Sequence, residues 1–159
     1  MFFTKPQSPV THTTPPAKKL RIVLIDDDHG PMDLFVQALK ERGFDVSHLD
    51  RTALAVEFVN KEEGDAPALI IMDLMMPYGT LDPGETKNGV QTGAVLINLI
   101  RRNPRLRFTP IICLSNYDNE EEARQMVGPA IPFVGKYETT PFEFADSILQ
   151  QDFIKNLLN

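Results

Sequence analysis

The sequence predicts one α/β domain, a doubly wound parallel sheet with helices on both faces, and three observations predict it. Ala68-Leu69-Ile70-Ile71-Met72 is apolar without any amphipathic period, as in a strand covered on both faces at the centre of a parallel sheet. Short apolar runs alternate with longer segments of helical period from Leu20 onward, and such alternation, joined by right-handed crossovers, builds that sheet. The chain of 159 residues, 42% hydrophobic and 24% charged, is long enough for one well-cored globular domain.

Leu20 to Ile25 is the first strand, ended by the acidic turn Asp26-Asp27-Asp28-His29-Gly30. Pro31 suits the first position of a helix with the apolar stripe Leu34, Phe35, Ala38 and Leu39, and Gly43 ends it. Phe44 to Leu49 is a short second strand. A second helix runs from a Thr52 cap through Leu54, Ala55, Phe58 and Val59 to a stop at Gly64. After the central strand, a loop with Pro77, Gly79, Pro83, Gly84 and Gly89 leads to a third helix from Val90 to Arg102, which Asn103-Pro104 terminates. Ile111 to Leu114 is strand four, and Asp118 with Glu121 has capping-box spacing for a fourth helix that ends at Gly128-Pro129. Ile131 to Val134 is strand five. Thr140-Pro141-Phe142-Glu143 opens a final helix with a Thr cap, Pro inside it and Glu three residues on; its stripe is Phe142, Ala145, Ile148, Leu149 and Phe153.

Residues 1 to 19 are rich in Pro and Thr and poor in apolar side chains, so they read as a disordered tail ahead of a domain over 20 to 159. A net charge of −6 and a pI near 5.0 argue against nucleic acid and against anionic lipid as partners. Arg101, Arg102, Arg105 and Arg107 cluster at a helix end, where cations favour the dipole, in an otherwise acidic chain. No apolar run approaches the roughly 20 residues of a membrane span, and the N-terminus lacks the pattern of a signal peptide, so a cytoplasmic location is expected. Cys113, the single cysteine, lies in an apolar run where a buried inert thiol is expected.

The chemistry gathers at one edge. Asp26 and Asp27 end strand one, Asp73 ends strand three, Ser115 ends strand four and Lys136 follows strand five, all at carboxyl ends, where open α/β sheets bind their ligands. Each has an ordinary reading by itself: the acidic run as a solvated turn, Ser115 as a local cap, Lys136 as a surface charge. Together, each after an apolar strand, they read as one site. Three converging carboxylates repel one another unless a hard divalent cation neutralises them, and an all-oxygen set suits Mg²⁺ better than zinc. His29 is discounted as a ligand on the same ground. A phosphoryl group can then be held by the Lys136 ammonium and the Ser115 hydroxyl while the Asp73 carboxylate attacks it, which makes an aspartyl phosphate.

Leu24-Ile25-Asp26-Asp27-Asp28, Met72-Asp73-Leu74-Met75-Met76-Pro77, Ile112-Cys113-Leu114-Ser115 and Val134-Gly135-Lys136 resemble the four signature segments of the response-regulator receiver domain. The resemblance covers residues 20 to 157 and implies a flavodoxin-like five-stranded sheet in the order 2-1-3-4-5. It further implies Mg²⁺ held by Asp27, Asp73 and the main-chain carbonyl of Met75, with Asp26 acting through water. Asp73 is then the phosphoacceptor of a histidine kinase or phosphotransfer protein, and Ser115 and Lys136 contact the phosphoryl oxygens. Phe133 matches the aromatic position that changes rotamer on activation. The sequence departs from the family at three places: a long loop from Pro77 to Gly89, expected near the site; Tyr137 where a proline usually follows the lysine, which bears on the aim of Lys136; and Asn116 where a smaller residue often follows the serine.

The expectation is a stand-alone, chemotaxis-regulator-like switch and not an enzyme in its own right. The residues after Lys136 are used by the last helix, so output passes through a partner protein on the face made by helix four, strand five and helix five. One alternative is a small phosphatase or phosphotransferase with an Asp nucleophile, which lacks here a cap domain and a second acid two residues after Asp73, where Met75 stands. The other is a receiver that signals without phosphate, suggested by Tyr137 and the long loop.

Overall fold

The strands β1 (Arg21–Ile25), β2 (Asp45–Leu49), β3 (Leu69–Met72), β4 (Ile111–Ser115) and β5 (Phe133–Gly135) form one parallel sheet in the order β2-β1-β3-β4-β5. The computed structural model describes residues 17–159. Alternation along the strands divides the core into two layers. Val23, Ile25, Ile70, Met72, Ile111, Cys113 and Phe133 face α2 (Thr52–Asn60), α3 (Thr92–Arg102) and α4 (Glu120–Val127). Ile22, Leu24, Leu69, Ile71, Ile112 and Leu114 face α1 (His29–Glu41), α5 (Pro141–Leu149) and α6 (Asp152–Leu158). Phe35 and Phe144 join α1 to α5 edge to face, with ring centroids 5.6 Å apart. This is the doubly wound, flavodoxin-like architecture expected from the sequence.

Several details differ. α1 starts at His29, two residues before Pro31; the proline still falls in the first turn, where a missing N–H leaves no bond unmade. Met32 is buried in the α1 stripe and Leu34 is exposed. Thr52 is the first residue inside α2 and not its cap, because its hydroxyl is drawn to the Pro77 carbonyl. α3 starts at Thr92, with Val90 left exposed. Asn119, not Asp118, caps α4 by accepting the Glu122 N–H. β5 starts at Phe133, although Ile131 is buried just before it. The expected last helix is two: Thr140 and Glu143 form the capping box of α5, and an extended Gln151 breaks the chain so that Ile154 of α6 turns into the core. Phe142 faces outward under the Arg42 guanidinium, and Phe144 takes its place inside.

Arg101 donates to the carbonyls of Arg107 and Thr109, and Arg105 to those of Phe58 and Lys61, so two of the clustered arginines tie loops to helix ends. Cys113 is buried, and burial pushes its thiol far above the ordinary range, as expected of an inert thiol. Among the described residues, no helix is long and apolar enough to cross a membrane. Of the expected tail, residues 1 to 16 lie outside the described residues, and Ala17 to Lys19 are exposed without regular structure.

Candidate functional site

The ladders of the sheet continue one bond past the strands and fix the backbone of each site residue. Asp26 N–H donates to Leu49 at 3.2 Å, Asp73 N–H to Ile25 at 2.9 Å and Lys136 N–H to Ser115 at 3.1 Å. Ser115 pairs in register with Gly135. Asp26, Asp73, Ser115 and Lys136 therefore start from neighbouring points on one edge, as the strand-end reading expects.

Their side chains converge. Lys136 Nζ lies 2.7 Å from Asp26 Oδ2 and 3.3 Å from Asp73 Oδ2. The Ser115 hydroxyl donates to Asp73 Oδ1 at 2.5 Å, and the Met75 N–H reaches the same oxygen at 3.4 Å. Asp26 Oδ1 accepts the Asp28 N–H at 2.9 Å. Asp26, Asp73 and Ser115 are all buried. Lys136 is thus aimed into the site with Tyr137 behind it, and Tyr137 itself is 91% exposed.

Burial dominates the electrostatics. It raises Asp26, helped by the Asp73 charge, to about 6, against the lowering effect of Lys136. Burial also raises Asp73, while Lys136 and the Ser115 hydrogen bond pull it back. For Lys136, burial alone would lower the ammonium's pKa, but the Asp73 and Asp26 carboxylates outweigh it and hold it above its ordinary value.

One oxygen from each of Asp26, Asp27 and Asp73 lies within 4.8 Å of the others. Three carboxylates against the Lys136 ammonium leave two negative charges when all are ionised, and a divalent cation with oxygen ligands balances them. The residues present fit Mg²⁺. His29 is turned to Asp50 at 3.3 Å.

Phe133 is buried, and its register partner is Cys113. Cys113 and Ser115 lie two apart on one strand, so Ser115 and Phe133 share a face of the sheet. The Arg124 guanidinium lies 5.8 Å from the Phe133 ring centre and pairs with Glu120. Asn116 is partly buried, and among the described residues its Oδ1 has no donor.

Sequence reasoning missed the residues that shape the turn after Asp73. The expected long loop folds back on it: Gly89 accepts the Met76 N–H at 3.1 Å, and Gly93 N–H donates to Leu74 at 2.9 Å. A Cβ on Gly93 would meet the Asp73 carbonyl oxygen and stand 2.8 Å from Leu74 Cα, so only glycine lets α3 approach the strand end this closely. Thr92 and Thr52, both buried, donate to the carbonyls of Met76 and Pro77. The glycine in the first turn of an apolar helix was the available signal. His48 was also missed; its Nε2 lies 2.7 Å from the Asp26 carbonyl oxygen.

Residues 22–131 match the family model of the response regulator receiver domain. Solved structures similar to the chain include a response regulator from Desulfuromonas acetoxidans, at 24% identity over 88% of this chain and 99% of that one, with TM-score 0.62. A chemotaxis response regulator of Vibrio cholerae is 18% identical over 84% of this chain and 98% of its own, with TM-score 0.62. The signal receiver domain of a signal transduction histidine kinase from Syntrophus aciditrophicus is 22% identical over 86% and 91%, also with TM-score 0.62. At these identities the solved structures speak for the fold. No curated protein matches the chain.

Proposed function

Because this chain belongs to the response regulator receiver family, we propose that it is a signalling switch that accepts a phosphoryl group on Asp73 from a histidine kinase or phosphotransfer protein. The observation that carries the reading is the convergence of Lys136 Nζ and the Ser115 hydroxyl on opposite oxygens of Asp73, beside the Asp26 and Asp27 carboxylates. Mg²⁺, when bound, neutralises phosphoryl charge. Asp26, Asp27, Asp73 and the Met75 carbonyl are its proposed ligands, with Asp26 acting through water.

An Asp73 carboxylate oxygen attacks the phosphorus of a phosphohistidine, the P–N bond breaks, and its electron pair leaves on the imidazole nitrogen, which takes a proton from solvent. Lys136 steadies the charge of the transferred group, and Ser115 exchanges its hydrogen bond to Asp73 for one to a phosphoryl oxygen. Ser115 and Phe133 then bias the face of α4, β5 and α5 toward a partner protein. The switch domain is assigned to residues 20 to 159, and a cytoplasmic location belongs to the same proposal.

The test is transfer of radiolabelled phosphoryl from autophosphorylated histidine kinases to the purified protein. Label moving to the intact chain and not to Asp73→Asn is expected; no transfer from any kinase or phosphotransfer protein would remove the phosphorelay role.

A further inference from the structure

The carbonyls that follow Asp73 are not equivalent. Leu74 accepts the Gly93 N–H at 2.9 Å, Met76 accepts the Thr92 hydroxyl at 2.7 Å, and Pro77 accepts the Thr52 hydroxyl. Among the described residues, no donor reaches the Met75 carbonyl. Thr92 bridges further to the Gly89 carbonyl at 3.3 Å, and Gly89 in turn holds the Met76 N–H, so the long loop and the turn form one hydrogen-bonded unit. Thr92 is fully buried and Thr52 nearly so; neither hydroxyl caps its own helix, the usual use of a threonine at a helix start.

The geometry points to Thr92 and Thr52 as positioning residues for the cation: by holding the two carbonyls after Met75, they leave the Met75 carbonyl as the free oxygen of the turn and fix its direction. The inference rests on the phosphoacceptor reading above, because it takes the Met75 carbonyl as a Mg²⁺ ligand. Residues of this kind orient a ligand without touching the metal, and losing one typically weakens affinity by about 10- to 100-fold. The long loop then has a role in the chemistry: it supplies Gly89 to Thr92's network and ties α2, through Thr52, to the same turn.

The test is an amide chemical-shift titration of the full chain with Mg²⁺ alone, run beside metal-free melting curves, for the intact protein, Thr92→Val, Thr92→Ser and Thr52→Val. Thr92→Val, which keeps the shape and removes the donor, is expected to raise the Mg²⁺ Kd about 10-fold. Thr92→Ser is expected to restore it, and Thr52→Val to raise it severalfold. Valine variants that melt lower but bind Mg²⁺ like the intact protein would reduce the threonines to a structural role and overturn the inference, as would a serine variant as weak as the valine one. If Thr92→Val does not fold, Thr52→Val decides. Failure of the intact protein to bind Mg²⁺ would instead bring down the cation site of the underlying reading, and this inference with it.

Discussion

Lys136 reaches past β4 and β3 and stops 2.7 Å from Asp26 Oδ2, closer than it comes to Asp73. The ammonium therefore bridges the Asp26 and Asp73 carboxylates, meeting Asp73 at 3.3 Å with Ser115 on that carboxylate's other oxygen. Both members of the Lys136 and Asp26 pair are more than nine-tenths buried, which makes the pair costly to break from one side.

Lys136→Met should accordingly destabilise the metal-free protein by about 3–5 kcal/mol, since it leaves Asp26 buried without its partner. Asp26→Asn in the same chain should recover part of that loss, and thermal melts of the two single variants and the double variant measure the coupling. Additive effects would show that the two side chains do not act as a pair.

Mg²⁺ should stabilise the intact protein. At 100 times its Kd the gain is about 2.7 kcal/mol, or roughly 5–10 °C in Tm for a chain of this size. Asp27→Ala should abolish the response and raise the metal-free Tm by relieving repulsion. A melting curve of the intact protein that ignores millimolar Mg²⁺ is the contrary result.

Asp26 gives the metal-free protein a pH signature. Its folded value, about 6, lies above the ordinary 3.8, so between them the folded chain holds a proton that the unfolded chain has lost. The stability this group contributes is full below 3.8 and is lost as pH rises through about 6. Tm of the intact protein should fall across that window relative to Asp26→Asn, and saturating Mg²⁺ should remove the difference. Parallel pH profiles for the two proteins would contradict the raised value.

The sheet and its site were legible because their signals are local. Four apolar strands each followed by a polar residue of the needed type placed Asp26, Asp73, Ser115 and Lys136 on one edge, and the Thr140 to Glu143 box lies within one helical turn. Errors arose where neighbouring candidates compete, as with Asp118 and Asn119, or where two phases of one stripe fit, as with Leu34 and Met32. The contacts of Thr52 with Pro77 and of Thr92 with Met76 are long in sequence and have no periodic signature, so only the fold reveals them.

Output should depend on Ser115. Beryllofluoride, which mimics the phosphoryl group, should shift amide resonances of residues 116 to 145 in the intact protein, and Ser115→Ala should shrink those shifts while leaving Asp73 phosphorylation possible. Coupling of this kind is worth about 1–3 kcal/mol, so a graded change is expected. Shifts confined to the metal-binding turns of the intact protein would rule out the route through Phe133.

Mass spectrometry after incubation with acetyl phosphate and Mg²⁺ shows whether Asp73 accepts a phosphoryl group. One acid-stable, base-labile phosphoryl group is expected on the intact protein, mapped to the peptide that carries Asp73 and missing from Asp73→Asn. The same label retained by Asp73→Asn, or mapped to another peptide, would contradict it.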